Sequence, residues 1–420
     1  MRRFALAFGL AAVVAGTVGT RQIVGQSAPP AAGAKDYIVV FHGDERDVAA
    51  LAEAHGRAYG VEIHHIYESA LKGYAATISA ARLADVQRDP RVAFVSDDRP
   101  VHAAVQSVPT GINRIDAELS SHFGSNAGWN TAVAVIDTGS GPHSELNIVG
   151  GKNCSTGRSY SDGNGHGTHV AGTIGALTNS AGVVGVAPGI PIYSVRVLDN
   201  TGNGSWSTVI CGIDWVTANA ASLKISVANM SIEGSGADDG NCGNTNNDAL
   251  HRAICASVAA GVTYVVAAGN DSLNLAGIVP ATYDEVLTVT AVADYNGQPG
   301  GGAAATCRAG VDDTPGDFSN FATPGSADEA HTIAAPGVCI QSTWKGGGYN
   351  TISGTSMASP HVAGVAALCI NAGLCTGGPS GVRNQLRLDA SVQPIDYGFT
   401  GDPNSQSASR YYGYLVAARY

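Results

Sequence analysis

Charge is scarce in this chain of 420 residues: Asp, Glu, Lys and Arg together make up 14% of it. The balance is acidic, with 23 Lys and Arg against 34 Asp and Glu and a formal net charge of -11, and no basic run interrupts it. Such a surface cannot displace the counterions condensed on a phosphate backbone, so a nucleic-acid partner is excluded. Long apolar runs are missing too. Beyond Val18 no stretch is long and apolar enough to cross a bilayer, which excludes a membrane span after the leader. No internal repeat is visible. The low charge does not signal disorder, because hydrophobic residues make up 44% and glycines number 55. That is the composition of a globular chain with many tight turns and close-packed helices.

The length exceeds one ordinary domain and predicts one large domain with a smaller one. The leader reads Met1-Arg2-Arg3, then an apolar run from Phe4 to about Val18, then Thr20-Arg21-Gln22. A basic start, a short apolar middle and small residues at the end predict a secretory signal peptide over 1–26, cut between Ala15 and Ala28. The mature chain is then soluble and exported. All eight cysteines follow the leader. An even count in an exported chain points to disulfides, although sequence alone leaves on the order of a hundred connectivities open. Cys369 and Cys375 flank a short loop and Cys242 and Cys255 bracket one helix, so both can pair locally. Cys154 with Cys211 and Cys307 with Cys339 would complete the set, with free buried thiols as the alternative.

After a low-complexity linker, strands are expected at Lys35–Phe41, Ile63–Tyr67, Tyr74–Ile78 and Val92–Ser96, and helices at Asp44–Tyr59 and Ser79–Arg88, a small βαββαβ unit. His64 and His65 are neighbours on a strand and face opposite ways, which favours a surface role over a metal. From Thr131 strands alternate with helices. Continuously apolar runs at 131–136, 191–198, 224–231, 262–268 and 286–292 suit a parallel sheet covered on both faces. Helices are expected at 166–177, 205–221, 245–260 and 355–370.

Three stretches carry chemistry. In Gly354-Thr355-Ser356-Met357-Ala358-Ser359-Pro360-His361, Ser356 sits where a loop becomes a buried helix, beside unpaired N–H groups that favour a developing oxyanion. Val133-Ala134-Val135-Ile136-Asp137-Thr138-Gly139 is an apolar strand running into a carboxylate. Asp162-Gly163-Asn164-Gly165-His166-Gly167-Thr168-His169 is a glycine-rich loop opening a helix, whose paired histidines by themselves would suggest a metal. The order Asp, His, Ser, each at an element end facing one sheet edge, is that of a nucleophilic triad.

With Ala267-Ala268-Gly269-Asn270, these stretches make four motifs in whose order and content the chain resembles the subtilisin family of secreted serine proteases, close to the proteinase K type. The resemblance covers about Gln106 to the C-terminus, and a shorter likeness covers the unit before it. It implies an α/β, three-layer fold with a mainly parallel sheet flanked by helices, preceded by a small α+β, ferredoxin-like propeptide domain. The propeptide would span 34–104 and the peptidase 105–420, with Gln106-Ser107-Val108-Pro109 near the mature start and the cut after Ala104.

By the same resemblance Ser356 is the nucleophile, His166 the base and Asp137 its orienting partner, and Asn270 is a side-chain oxyanion donor. The substrate would lie between Gly202-Asn203-Gly204 and Ser231-Ile232-Glu233-Gly234, with Trp206 bordering an upstream subsite and Ala267, Ala268 and Gly269 along the first pocket. Glu233 stands where the family commonly has Gly. A structural Ca²⁺ is implied at Gln106, Glu145 and the loop carrying Leu177, Asn179, Ala181 and Val183, with Glu145 standing where the family usually has Asp. The implied partners are protein and peptide substrates and the chain's own propeptide as inhibitor, with the mature enzyme a monomer. The rival readings are a catalytically silent binding module on the same fold and a secreted esterase.

Overall fold

A computed structural model describes residues 34–43, 46–98, 106–405 and 409–420. The expected signal peptide, the linker after it, the first residues of the Asp44 helix and the cut after Ala104 lie outside the described residues. The chain divides into two compact units, Met1–Ala103 and Ala104–Tyr420.

The first unit runs β1 (Ala34–Phe41), α1 (Val48–Tyr59), β2 (Glu62–Tyr67), β3 (Gly73–Ser79), α2 (Ala80–Gln87) and β4 (Val92–Asp97). Its sheet has the order β2-β3-β1-β4 with every pair antiparallel, the βαββαβ arrangement expected. Asp47 starts α1 by accepting the Ala50 N–H at 2.9 Å. Gly60, at φ 65°, ends it. Val39, Phe41, Leu51, Tyr74 and Ile78 form the core. A register shift falls between Ile63 and His65, and His64 and His65 are both exposed.

The second unit opens with α3 (Thr110–Arg114), β5 (Ala132–Asp137), β6 (Ile148–Asn153), α4 (His166–Gly175), β7 (Ile192–Arg196), α5 (Trp206–Leu223), β8 (Ile225–Met230), β9 (Gly234–Ser235) and α6 (Ala249–Ala259). It continues with β10 (Thr263–Ala267), β11 (Ile278–Val279), β12 (Leu287–Ala293), β13 (Thr314–Pro315), β14 (Thr332–Pro336), β15 (Ile340–Trp344), β16 (Gly348–Ile352), α7 (Thr355–Asn371) and α8 (Gly378–Ser391). Strands β6, β7, β5, β8, β10, β12 and β14 pair in that order, all parallel, and β13 adds an antiparallel pairing to the end of β12.

Strand β5 shows why these strands read as unbroken apolar runs. Val133 and Val135 join the core that holds Ile174 of α4 and Val362 and Val365 of α7. Ala134 and Ile136 join the opposite core with Val209 and Ile213 of α5 and Ile254 of α6. Both faces are buried, so no position is left for a polar residue and the period of two disappears. The result is the three-layer α/β fold expected.

The expected elements are present with shifted ends. β5 runs one residue further, so that Asp137 is its last residue. α6 begins at Ala249 rather than 245, because Asp248 accepts the Leu250 and His251 N–H groups and caps the helix there. The sequence pattern missed β6, β14, α8 and the β15–β16 hairpin. All four disulfides form in the expected pairs, Cys154–Cys211, Cys242–Cys255, Cys307–Cys339 and Cys369–Cys375. In α3 the fully buried Arg114 guanidinium meets Asp294 at 2.9 Å and Asp313 at 2.8 Å, and donates to the Gly398 carbonyl at 2.7 Å.

Candidate active site

Strands β5, β8 and β10 are neighbours in the sheet. Their carboxyl ends carry Asp137, Ser231 and Ala268-Gly269-Asn270 side by side, the edge where open α/β sheets bind ligands. Asp137 is fully buried, and its Oδ1 accepts the Thr138 N–H at 2.6 Å. The loop that brings His166 to it is held by Asp162, whose oxygens accept the Asn164, Gly165 and Thr168 N–H groups and the Thr138 and Thr168 hydroxyls. Gly167 lets α4 come this close, since a Cβ there would run into the Gly139 carbonyl oxygen.

His166 Nδ1 therefore lies 2.8 Å from Asp137 Oδ1 and 3.0 Å from Oδ2. Burial works against the imidazolium, but the Asp137 charge and hydrogen bond, with Asp162 behind them, outweigh it and raise the pKa above the usual value. His169, three residues on, is fully buried and pairs through Nε2 with the Ile340 carbonyl at 2.9 Å. Burial pushes it down to about 3. The two histidines thus have separate partners and do not form a pair.

Ser356 is the second residue of α7. Its Oγ lies 3.5 Å from the Ser231 carbonyl oxygen, and no hydrogen bond joins it to His166 among the described residues. Catalytic contacts are often loose without substrate. A buried relay fixes its backbone: Ser359 Oγ donates to Asn229 Oδ1 at 2.8 Å, Asn229 Nδ2 to Ser231 Oγ at 3.0 Å, and Ser231 Oγ to the Ser356 carbonyl at 2.9 Å. Asn270 Oδ1 accepts the Thr355 N–H at 2.8 Å and the Thr355 hydroxyl at 3.1 Å. With its oxygen engaged, the amide donates from Nδ2, which also faces the Glu233 carboxylate.

A cavity of about 700 Å³ opens beside His166 and is lined by Gly202, Asn203, Gly204, Trp206, Ser231, Ile232 and Glu233 among others. Gly234 packs against the Trp206 ring. Ala267 and Ala268 are buried at the end of β10 and do not line it. Glu233 is not a free carboxylate at the cleft wall. Its Oε2 accepts the Asn270 N–H at 3.0 Å and abuts Gly269, where a Cβ would strike it. Burial, then the charge of Asp271, raise its pKa against those hydrogen bonds.

The sequence profile of the subtilase family, peptidase S8, matches residues 128–414. The chain belongs to the subtilase family. A second profile, that of the I9 peptidase inhibitors, matches residues 36–104 of this subtilase. Subtilisin E of Bacillus subtilis (strain 168) is 39% identical over 304 residues, covering 71% of this chain and 70% of its own. A thermostable alkaline protease of Halalkalibacterium halodurans is 37% identical over 355 residues, covering 84% of each chain. Among solved structures, that of a cold adapted subtilisin-like serine proteinase superposes with a TM-score of 0.55 at 32% identity, covering 74% of this chain and 97% of the other. The protein is a subtilisin-like serine endopeptidase carrying an inhibitor-type propeptide unit.

This subtilase also gathers the residues expected at a calcium loop. Gln106 donates through Nε2 to the Leu177 and Val183 carbonyls at 2.6 and 3.1 Å, and its Oε1 accepts the Asn179 N–H at 2.9 Å. Asn179 donates to Glu145 Oε2 at 3.2 Å and accepts the Ala181 N–H at 2.7 Å. Two carbonyls, two amides and one carboxylate make a hard oxygen donor set of the kind Ca²⁺ takes, and the residues fit that ion.

Sequence reasoning missed Asn229, Thr355 and Asp162. The signal for Asn229 was available, since it is the one amide in the run Ile225–Met230, where it is fully buried. A polar group there needs a partner.

Proposed function

We propose that this subtilase is exported as a zymogen that cuts itself after Ala104 and then hydrolyses peptide bonds with the triad Asp137, His166 and Ser356. Ser356 Oγ attacks the scissile carbonyl while His166 Nε2 takes its proton. Asp137 holds Nδ1–H and stabilises the imidazolium, which then protonates the leaving amine. Water repeats the cycle on the acyl-enzyme. Asn270 Nδ2 and the Ser356 N–H receive the oxyanion. An extended peptide pairs with Gly202–Gly204 on one side and Ser231–Gly234 on the other, with Trp206 beside an upstream side chain. Small or apolar residues before the cut suit the junction's own Ala103 and Ala104. The propeptide, 34–104, is the first inhibitor, and the mature enzyme, 105–420, works outside the cell as a monomer on protein and peptide substrates.

The observation that carries this reading is the 2.8 Å pair of His166 Nδ1 with a fully buried Asp137, because it leaves only Nε2 to face a nucleophile. Ser356→Ala tests it. In a host lacking proteases, uncut precursor should accumulate, read by N-terminal sequencing and intact mass. Normal maturation of that variant would sink self-processing. Calcium, held by Gln106, Glu145, Asn179, Ala181 and the Leu177 and Val183 carbonyls, would tie the N-terminal segment to the loop after α4. EDTA should then lower the melting temperature of the mature enzyme.

A further inference from the structure

Away from the cleft, the loop between β9 and α6 folds around one imidazole. Asp248 caps α6 through the Leu250 and His251 N–H groups at 2.9 and 3.2 Å, which sets His251 in the first turn. His251 is 0% exposed. Its ring stacks on Tyr283, with centroids 4.0 Å apart and planes 3° apart. Its Nε2 meets Glu285 Oε2 at 2.8 Å. A neutral ring that donates from Nε2 presents a lone pair at Nδ1, and Nδ1 has no hydrogen-bond partner among the described residues. It lies 3.5 Å from Asp238 Oδ1 and 3.5 Å from Asp239 Oδ1.

Those two separations are too long for hydrogen bonds, which close at about 2.7–3.2 Å. They do match the edge of a tetrahedron, since metal bonds of about 2.0–2.2 Å to nitrogen and oxygen place neighbouring ligands roughly 3.3–3.6 Å apart. We propose that His251 Nδ1, Asp238 Oδ1 and Asp239 Oδ1 form a three-ligand site for a divalent cation of the zinc class. The surroundings are those such a site needs. Glu285 fixes the tautomer and aim of the imidazole from its far side, as carboxylates do behind metal-bound histidines.

The two carboxylates are also held in advance. Asp238 accepts the Gly240 N–H at 2.9 Å and the Asp284 N–H at 3.3 Å. Asp239 accepts the N–H groups of Asn241, Gly243, Thr245 and Asn246. Two of these fall on its Oδ1, which makes Asp239 the weakest of the three ligands. One imidazole with two carboxylates suits zinc, whereas calcium asks for six to eight oxygens. The Asp238 side chain is 15% exposed, which leaves a water the fourth position. The bound ion would tie the loop to α6 and to the Asp284–Glu285 segment. The Cys242–Cys255 disulfide joins the same loop and helix, and its oxidised sulfurs are not ligands.

The test uses the full chain, blocked by a serine-directed sulfonyl fluoride, stripped with chelator and kept free of thiol reductant. It is titrated with zinc in excess calcium and, separately, with cobalt. Expected is one zinc per chain that calcium does not displace, a rise in melting temperature, and the intense visible bands of tetrahedral cobalt. His251→Gln and Asp238→Asn should each weaken zinc binding by about tenfold or more, and Glu285→Gln by roughly 10- to 100-fold. Gln106→Ala, in the calcium loop, should leave it unchanged. If His251→Gln fails to fold, Asp238→Asn and the wild-type cobalt spectrum still decide. The proposal falls if the wild type binds no zinc in excess calcium, or if binding is the same in Asp238→Asn. It also falls if zinc leaves both the melting temperature and the cobalt spectrum at baseline, as a protonated His251 clamped by the three carboxylates would.

Discussion

His166 and His169 stand three residues apart on α4, and their surroundings pull them in opposite directions. The cleft end of the helix meets a buried carboxylate, and His166 is raised. The interior end meets backbone carbonyls such as that of Ile340 and no carboxylate among the causes of its shift, and burial takes His169 down to about 3. His361 on α7, fully buried with Nδ1 on the Met357 carbonyl at 2.9 Å, falls to about 4 for the same reason. A carbonyl fixes a tautomer as well as a carboxylate does. Only the carboxylate lets the ring take a proton in a dry place, and that separates a base from a piece of core.

The sharpest way to break the comparison is to give His166 an interior-type partner. Asp137→Asn keeps the shape and removes the charge. A fall in kcat of about 10⁴ is expected, the magnitude known for the equivalent change in a serine protease of another fold. In the wild type the rising limb of kcat/KM should lie above the ordinary His value of about 6.5, because only neutral His166 accepts the Ser356 proton. In Asp137→Asn that limb should move down. An unmoved limb would mean that another group sets the profile.

Asn270→Ala leaves both histidines as they are and removes the proposed oxyanion donor. Loss of about 10²–10³ in kcat with little change in KM is expected, a range that belongs to subtilisin itself, where the same kind of donor was removed. Equal losses in binding and turnover would place Asn270 in substrate positioning instead.

The interior side of the comparison is tested with acid. His361 is depressed in the folded state, so its unfolded form binds a proton first. Its share of the stability is present above about pH 6.5 and is lost as pH falls toward 4. By pH 4 the loss is on the order of 3 kcal/mol. His361→Leu should therefore lose less stability between pH 7 and pH 4 than the wild type, measured by urea unfolding of blocked enzyme. Parallel losses in the two proteins would refute the assignment.

The smallest effect expected concerns Glu233. An exposed ion pair is worth roughly 0.2–1 kcal/mol, so a basic residue at one upstream subsite should gain about two- to five-fold. Part of that carboxylate is already engaged by the Asn270 N–H. Glu233→Gly should erase the preference for Lys over Leu in matched peptides. If the ratio survives the substitution and does not fall with salt, Glu233 plays no part in specificity.

The residues proposed as the triad stood out because each sits at a junction between an apolar run and a glycine turn, which sequence marks strongly. Asp137 ends an apolar strand, and His166 and Ser356 open small-residue helices. The fold class followed from the unbroken apolar runs of β5, β8 and β10. What was not legible depends on partners far along the chain. Thr355 matters through Asn270, 85 residues away, and Ser231 through Ser356, 125 away. Glu233 read only as a departure from the family pattern, because nothing local shows its bond to Asn270. The α6 start was misplaced for a related reason. Residues before Asp248 share the helical pattern, but Asp239 takes their N–H groups into a loop.

Arg114 carries a consequence of another kind, one of timing. Its guanidinium is fully buried, so the helix that bears it cannot close over it until the groups that neutralise and solvate it are in place. Those groups lie 199 residues away at Asp313 and 284 away at the Gly398 carbonyl. At about 5–20 residues per second, the interval between making Arg114 and making Gly398 is roughly a quarter of a minute to a minute. Throughout it the first helix of the second unit has no way to finish, and the beginning of the enzyme waits for its end.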